Sequence, residues 1–122
     1  MQISGKKLNQ NLEKQIFQVL HQLVADLGSP KEVEIFLDDF LTAATKTSLA
    51  KKVMIALFLD QKMAYEKIRD SLNVSTSTIS EIYNRLGHDG IQLAIKKIKA
   101  EEWANKWSKK INSVLAKILP KT

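Results

Sequence analysis

Apolar residues recur along the chain at three- and four-residue intervals, and no stretch alternates between apolar and polar as a half-buried strand would. Leu12, Ile16, Val19, Leu20, Leu23, Val24 and Leu27 share one helical face. A first helix is therefore predicted up to Gly28, where glycine accepts the left-handed conformation of a helix stop. Ser29-Pro30-Lys31-Glu32 then restarts the chain: the Ser29 hydroxyl can cap, Pro30 suits the first helical position, and Glu32 completes a capping box. Val33, Phe36, Leu37, Phe40 and Leu41 supply the apolar face of this second helix. A third helix, capped by Thr42 or Thr45, is predicted to run to the neighbourhood of Gln61. Its apolar set (Leu49, Val53, Met54, Ile55, Leu57, Phe58 and Leu59) is too wide for a single stripe. Such a helix is expected to be buried on most sides, between its own neighbours and a partner subunit.

The segment from Tyr65 to Leu86 has a different rhythm. Its apolar positions Ile68, Leu72, Val74, Ile79 and Ile82 step by four, two, five and three residues. The step of two crosses Asn73 and fits a sharp turn, because asparagine tolerates the left-handed conformation best after glycine. Val74 is placed to plug the angle between two helices, and Ser75 to cap the second through the amide of Thr78. This is the layout of a helix-turn-helix, whose second helix enters the DNA major groove. Thr76, Ser77, Ser80, Glu81 and Asn84 are short polar groups able to reach base edges or phosphates, and Arg85 suits a phosphate. Lys67 of the first helix completes the predicted DNA-contacting set. Helix pairs of this kind also serve as plain structural corners, but the spacing favours the DNA reading.

Gly87-His88-Asp89-Gly90 reads as a linker, and Asp89 can cap a final helix from Ile91 towards Ile118, stopped by Pro120. Ile91, Ile95 and Ile98 make one stripe of that helix, while Trp103, Trp107, Ile111, Val114 and Ile118 make another. Either the stripe rotates or the helix bends near Ala100. The organisation expected is thus a helical DNA-binding domain over residues 1–90, with its helix-turn-helix at 65–86, and a basic amphipathic helix over 91–122.

Charge sharpens this division. The chain of 122 residues has a net charge of +6, and residues 91–122 carry eight lysines against Glu101 and Glu102. The remainder is neutral, and residues 64–90 carry a net charge of −1, so any attraction to phosphate must come from elsewhere, from the basic C-terminal segment or from Lys46, Lys51, Lys52 or Lys62. A localised basic stripe attracts a polyanion, although a solvated lysine face accounts for the composition equally well. Trp103 and Trp107 among Lys96, Lys97, Lys99, Lys106, Lys109 and Lys110 give the rival function, a helical adaptor or a module for an anionic membrane surface. Tryptophans four apart more often pack against a core or a dimer mate.

Composition and motifs exclude other classes. Hydrophobic residues at 44% and charged residues at 26% are ordinary for one globular domain, and there is no cysteine. The N-terminus lacks the apolar core of a signal peptide, and no apolar run approaches a membrane span, so a soluble, cytoplasmic protein is expected. His21 and His88 lie far apart, and Asp38 and Asp39 point about 100° from each other on a helix. Without a phosphate loop or metal-ligand spacing, no enzymatic activity, cofactor or metal is expected.

Phe36-Leu-Asp-Asp-Phe-Leu-Thr42, Leu49-Ala-Lys-Lys-Val-Met-Ile-Ala-Leu-Phe-Leu59, Tyr65-Glu-Lys-Ile68 and Ser75-Thr-Ser-Thr-Ile-Ser80 together resemble the Trp repressor superfamily, in particular its small bacterial Trp-repressor-like members. The resemblance covers less than half of the chain. It implies an all-helical, interlocked homodimer whose paired recognition helices read two half-sites of double-stranded DNA. The match fails at the corepressor pocket, where tryptophan-binding members place two arginines and a glycine. Ungapped alignment puts Lys51 and Glu81 at the arginine positions and Ile82 at the glycine. Lysine has no planar face to stack, glutamate reverses the charge, and isoleucine fills the space, so control by tryptophan is not expected. Ala64 also stands where the family often has a Ser or Thr cap, and the segment after Gly90 has no counterpart in the short members.

Overall fold

The computed structural model describes residues 8–100 together with Lys109, Lys110, Asn112, Ser113 and Ala116. Between Gln10 and Lys99 it consists of six helices, and no strand occurs among the described residues. The all-α architecture follows from the three- and four-residue apolar spacing. The chain divides into two compact units, residues 1–43 and 44–122.

The first unit contains α1 (Gln10–Asp26) and α2 (Pro30–Phe40). Asn9 caps α1 by accepting the Asn11 amide at 2.9 Å. The helix ends at Leu27 in an extended conformation, and no described glycine has a positive φ. Gly28 is therefore not the left-handed stop that the sequence suggested. Its amide instead donates to Glu32 Oε1 at 2.7 Å, so it serves the start of α2. Ser29 Oγ accepts the Glu32 amide at 3.2 Å and Pro30 opens the helix, which is the serine half of the expected capping box; the Glu32 carboxylate closes onto the Gly28 amide rather than that of Ser29. Neither helix buries a residue: Leu12, Ile16, Leu20 and Leu23 of α1 remain 41–46% exposed and Val19 68%.

The second unit is built on α3 (Ala43–Asp60), which Thr42 precedes directly. Five consecutive residues, Ile55 to Leu59, are buried, whereas Leu49 of the same apolar set is 49% exposed. Four of them, Ile55, Ala56, Phe58 and Leu59, form a single core with Ile68 of α4 (Tyr65–Leu72), Ile79 and Ile82 of α5 (Thr76–Asn84) and Ile95 of α6 (Asp89–Lys99). Most of the exposed large apolar side chains lie on α1 and α2.

The α3 helix stops through a left-handed lysine, Lys62 (φ 65°). Its amide donates to Leu59 O and that of Met63 to Phe58 O, both at 3.0 Å, the paired bonds of a Schellman stop. Met63 also packs on the core, as the residue after such a stop commonly does. At α6 the cap position belongs to His88, without a side-chain bond, and Asp89 is the first helical residue. The expectation that Asp89 caps is corrected by one residue; its carboxylate stands in the first turn, where the helix dipole favours negative charge. The helix ends at Lys99 with Ala100 extended (φ −56°, ψ 142°), at the place where the sequence stripe changes phase. Trp103, Trp107, Ile111, Val114, Ile118 and Pro120 lie outside the described residues.

Candidate nucleic-acid interface

The turn between α4 and α5 is built by three consecutive residues. Asn73 takes the left-handed conformation (φ 53°, ψ 56°), its amide donating to Arg69 O. The Val74 amide donates to the same carbonyl at 3.3 Å, and the Val74 side chain packs against the core. Ser75 Oγ accepts the Thr78 amide at 3.2 Å and caps α5. Asn73 thus turns the chain, Val74 anchors the corner and Ser75 starts the next helix, in the roles the sequence predicts for them.

Burial then decides which face of α5 is free. Ile79 is fully buried and Ile82 is 6% exposed, so these two point the opposite face of the helix outward. Thr76, Ser77, Glu81 and Asn84 are exposed and Ser80 is half-buried. At about 100° per residue, Thr76, Ser77, Ser80 and Asn84 fall within about 100° of one another, with Glu81 at the edge of that sector. The side chains of Thr76, Ser80 and Asn84 make no hydrogen bond to another described residue, which leaves their donors and acceptors for an incoming ligand. Ser77 differs, its hydroxyl lying 3.0 Å from Ser75 Oγ. Arg85 is the C-cap of α5, and Lys67 is on α4; both are exposed and have no ion pair among the described residues.

Electrostatics around the motif depend on α3. Arg69 is committed to its neighbour Asp70 at 3.0 Å; the hydrogen bond, and then the carboxylate charge, raise its pKa above the ordinary arginine value. Lys52 Nζ stands 3.8 Å from Glu81 Oε1, and Lys51 Nζ donates to Asn73 O at 3.2 Å. Adding these two lysines turns the net charge of −1 carried by residues 64–90 into +1. Sequence reasoning named them as sources of positive charge but missed that they reach the turn and α5. It also missed the edge-on contact of Tyr65 with Tyr83, whose ring centroids are 6.0 Å apart. No local signal could have revealed either, since both are contacts between separate helices.

The positions aligned with the corepressor pocket are occupied by the protein itself. Ile82 belongs to the core, Lys51 is hydrogen-bonded to the turn, and Glu81 faces Lys52. Among the described residues, no group of three or more His, Cys, Asp and Glu side chains is arranged to hold a metal ion.

Comparison with known proteins bears on residues in all six helices. The family model described as Trp repressor protein matches residues 15–99. The uncharacterized protein YerC of Bacillus subtilis (strain 168) is 29% identical over 102 residues, which is 82% of this chain and 89% of that protein. No solved structure matches.

Proposed function

This chain belongs to the Trp repressor family, and from that premise we propose that it is a sequence-specific transcriptional regulator that reads double-stranded DNA with α5. The observation that carries the reading is the junction of left-handed Asn73 with Ser75-capped α5, which turns Ile79 and Ile82 into the core and leaves Thr76, Ser77, Ser80 and Asn84 outward. These side chains are the base-reading set, with Glu81 beside them; Arg85 and Lys67 hold phosphates. DNA reading belongs to residues 1–90, and the lysines of 91–122 add attraction that is independent of sequence.

The working form is a homodimer in the cytoplasm. Support comes from the α1 face, where Leu12, Ile16, Val19, Leu20, Leu23 and Val24 are all 41–68% exposed, and an exposed apolar stripe of this kind marks an interaction surface. Two copies present two recognition helices to two half-sites. Among the described residues no helix is long and apolar enough to cross a membrane. Selection of bound oligonucleotides from a random duplex pool tests the function directly. A recurrent motif of two related half-sites is the expected result; a pool that stays random after repeated rounds overturns the reading.

A further inference from the structure

The buried side of α3 does not end with its apolar residues. Lys51 lies one helical turn before Ile55 and two before Phe58, and Lys52 holds the same relation to Ala56 and Leu59. Both lysines thus continue the stripes that pack against α4 and α5, and both are half-buried. A half-buried position at the end of such a stripe suits a long cationic side chain, whose stem can cover apolar surface while its ammonium group reaches polar partners. There the two heads diverge. Lys51 Nζ donates to Asn73 O, at the residue that turns the chain between the two helices, and Lys52 Nζ faces Glu81, midway along α5.

We propose that Lys51 and Lys52 are positioning residues that fasten the turn and the recognition helix to α3, so that the DNA-reading face is assembled before DNA arrives. The proposal rests on the reading of α5 as the recognition helix. Lys51 carries most of the effect. Its partner is a carbonyl at the end of α4, where helix carbonyls hold partial negative charge, and hydrogen bonds from charged donors are the stronger ones. The pair at 3.8 Å is more open, with side-chain exposures of 40% and 46%, and an exposed pair contributes little stability. Its value is to set a cation against Glu81, which would otherwise stand uncompensated beside the phosphates. The angle between the helices is then maintained by the chain's own cations rather than by a bound molecule.

The test uses the full-length protein and its Lys51→Met and Lys51→Arg variants. Exchange of the Val74 and Thr78 amides is followed without DNA, and affinity for preferred and random duplexes is measured across a salt series. Loss of the clamp is expected to speed exchange at those two amides about five- to tenfold, with Ile68 and Ile79 unchanged. Affinity for the preferred duplex should fall by a similar factor while random-duplex affinity and both salt slopes stay the same. Lys51→Arg, which retains a charged donor, should recover both properties. A salt slope reduced by about one, with equal weakening on all duplexes and unaltered exchange, would make Lys51 a phosphate contact and overturn the proposal. No change in either measurement overturns it too. If Lys51→Met fails to fold, Lys51→Gln, which keeps the stem and removes the charge, takes its place with the same expected outcomes. Lys52→Gln should leave exchange along α5 unaltered and weaken binding to all duplexes alike, and unaltered DNA binding in Lys52→Gln removes the Lys52 arm. A wild-type protein with no duplex preference would refute the DNA reading, while the exchange data would still decide the clamp.

Discussion

The carboxylate of Glu32 accepts the amide of Gly28 at 2.7 Å, reaching back across the residue that caps its own helix. Ser29 returns the bond by accepting the Glu32 amide at 3.2 Å, so the chain between α1 and α2 is closed from both sides. Removing either partner exposes amides at a helix start that has no buried side chain to hold it. Ser29→Ala should therefore destabilise the protein by about 0.5–2 kcal/mol, and Glu32→Ala should act in the same direction. Urea denaturation monitored by circular dichroism provides the measurement; unchanged midpoints would mean that α2 is secured elsewhere.

Asn73 is the hinge of the reading motif, and its φ of 53° discriminates among substitutions. Asn73→Gly should be tolerated within a few tenths of a kcal/mol, whereas Asn73→Val should lose about 1–2 kcal/mol or more because a branched side chain resists the left-handed region. Thermal melting of the two variants side by side checks the order, and a valine variant as stable as the glycine one would contradict it.

Specificity should reside in the outward face of α5. The triple replacement of Thr76, Ser80 and Asn84 by alanine removes three sets of polar groups unengaged by other described residues and no core residue. Sequence preference should flatten while weak binding to any duplex persists. Competition mobility shift with random DNA reads both quantities, and preference that survives the triple change would place the reading face elsewhere.

The basic segment can be removed more cleanly than its sequence stripe suggests. Because α6 ends at Lys99 and its Ile95 belongs to the core, truncation after Ala100 preserves α1 to α6. The deletion takes away Lys106, Lys109, Lys110, Lys117 and Lys121 with Glu101 and Glu102, a net loss of +3. Affinity for all duplexes should fall together with the salt slope. A truncated, folded protein with an unaltered slope would assign the segment to packing.

Free L-tryptophan should neither bind nor alter DNA affinity. Ile82, 6% exposed, already fills the position of the missing glycine, and opening room for an indole in a packed core commonly costs about 1–3 kcal/mol. Calorimetry at millimolar tryptophan, paired with a mobility shift, should return no saturable heat and no change in DNA binding. Saturable binding that tightens the DNA complex would reverse this expectation.

The features legible in sequence were those decided by neighbours in the chain. Asn73 and Ser75 announce the turn because their side chains and backbone preferences act within three residues, and Ser29 with Glu32 does the same for α2. Lys62 gave no warning of its left-handed backbone, since lysine has no special tolerance for it and the core contact of Met63 enforces it. Gly28 misled for the opposite reason: a residue able to adopt the left-handed stop was not asked to. The Lys51 bond to Asn73 spans 22 residues and exists only once α3 has packed against the motif.

The α1 stripe bears on quantity as well as shape. Six large side chains that stand about half in water on a single chain gain most when another surface covers them. If that surface is a second copy, the folded state is linked to protein abundance by mass action, and dilution alone weakens it. Occupancy of a paired DNA site would then rise with the square of chain number when copies are few. A gene under such control would respond to the regulator's own synthesis with a threshold, and no effector molecule would be needed to produce it.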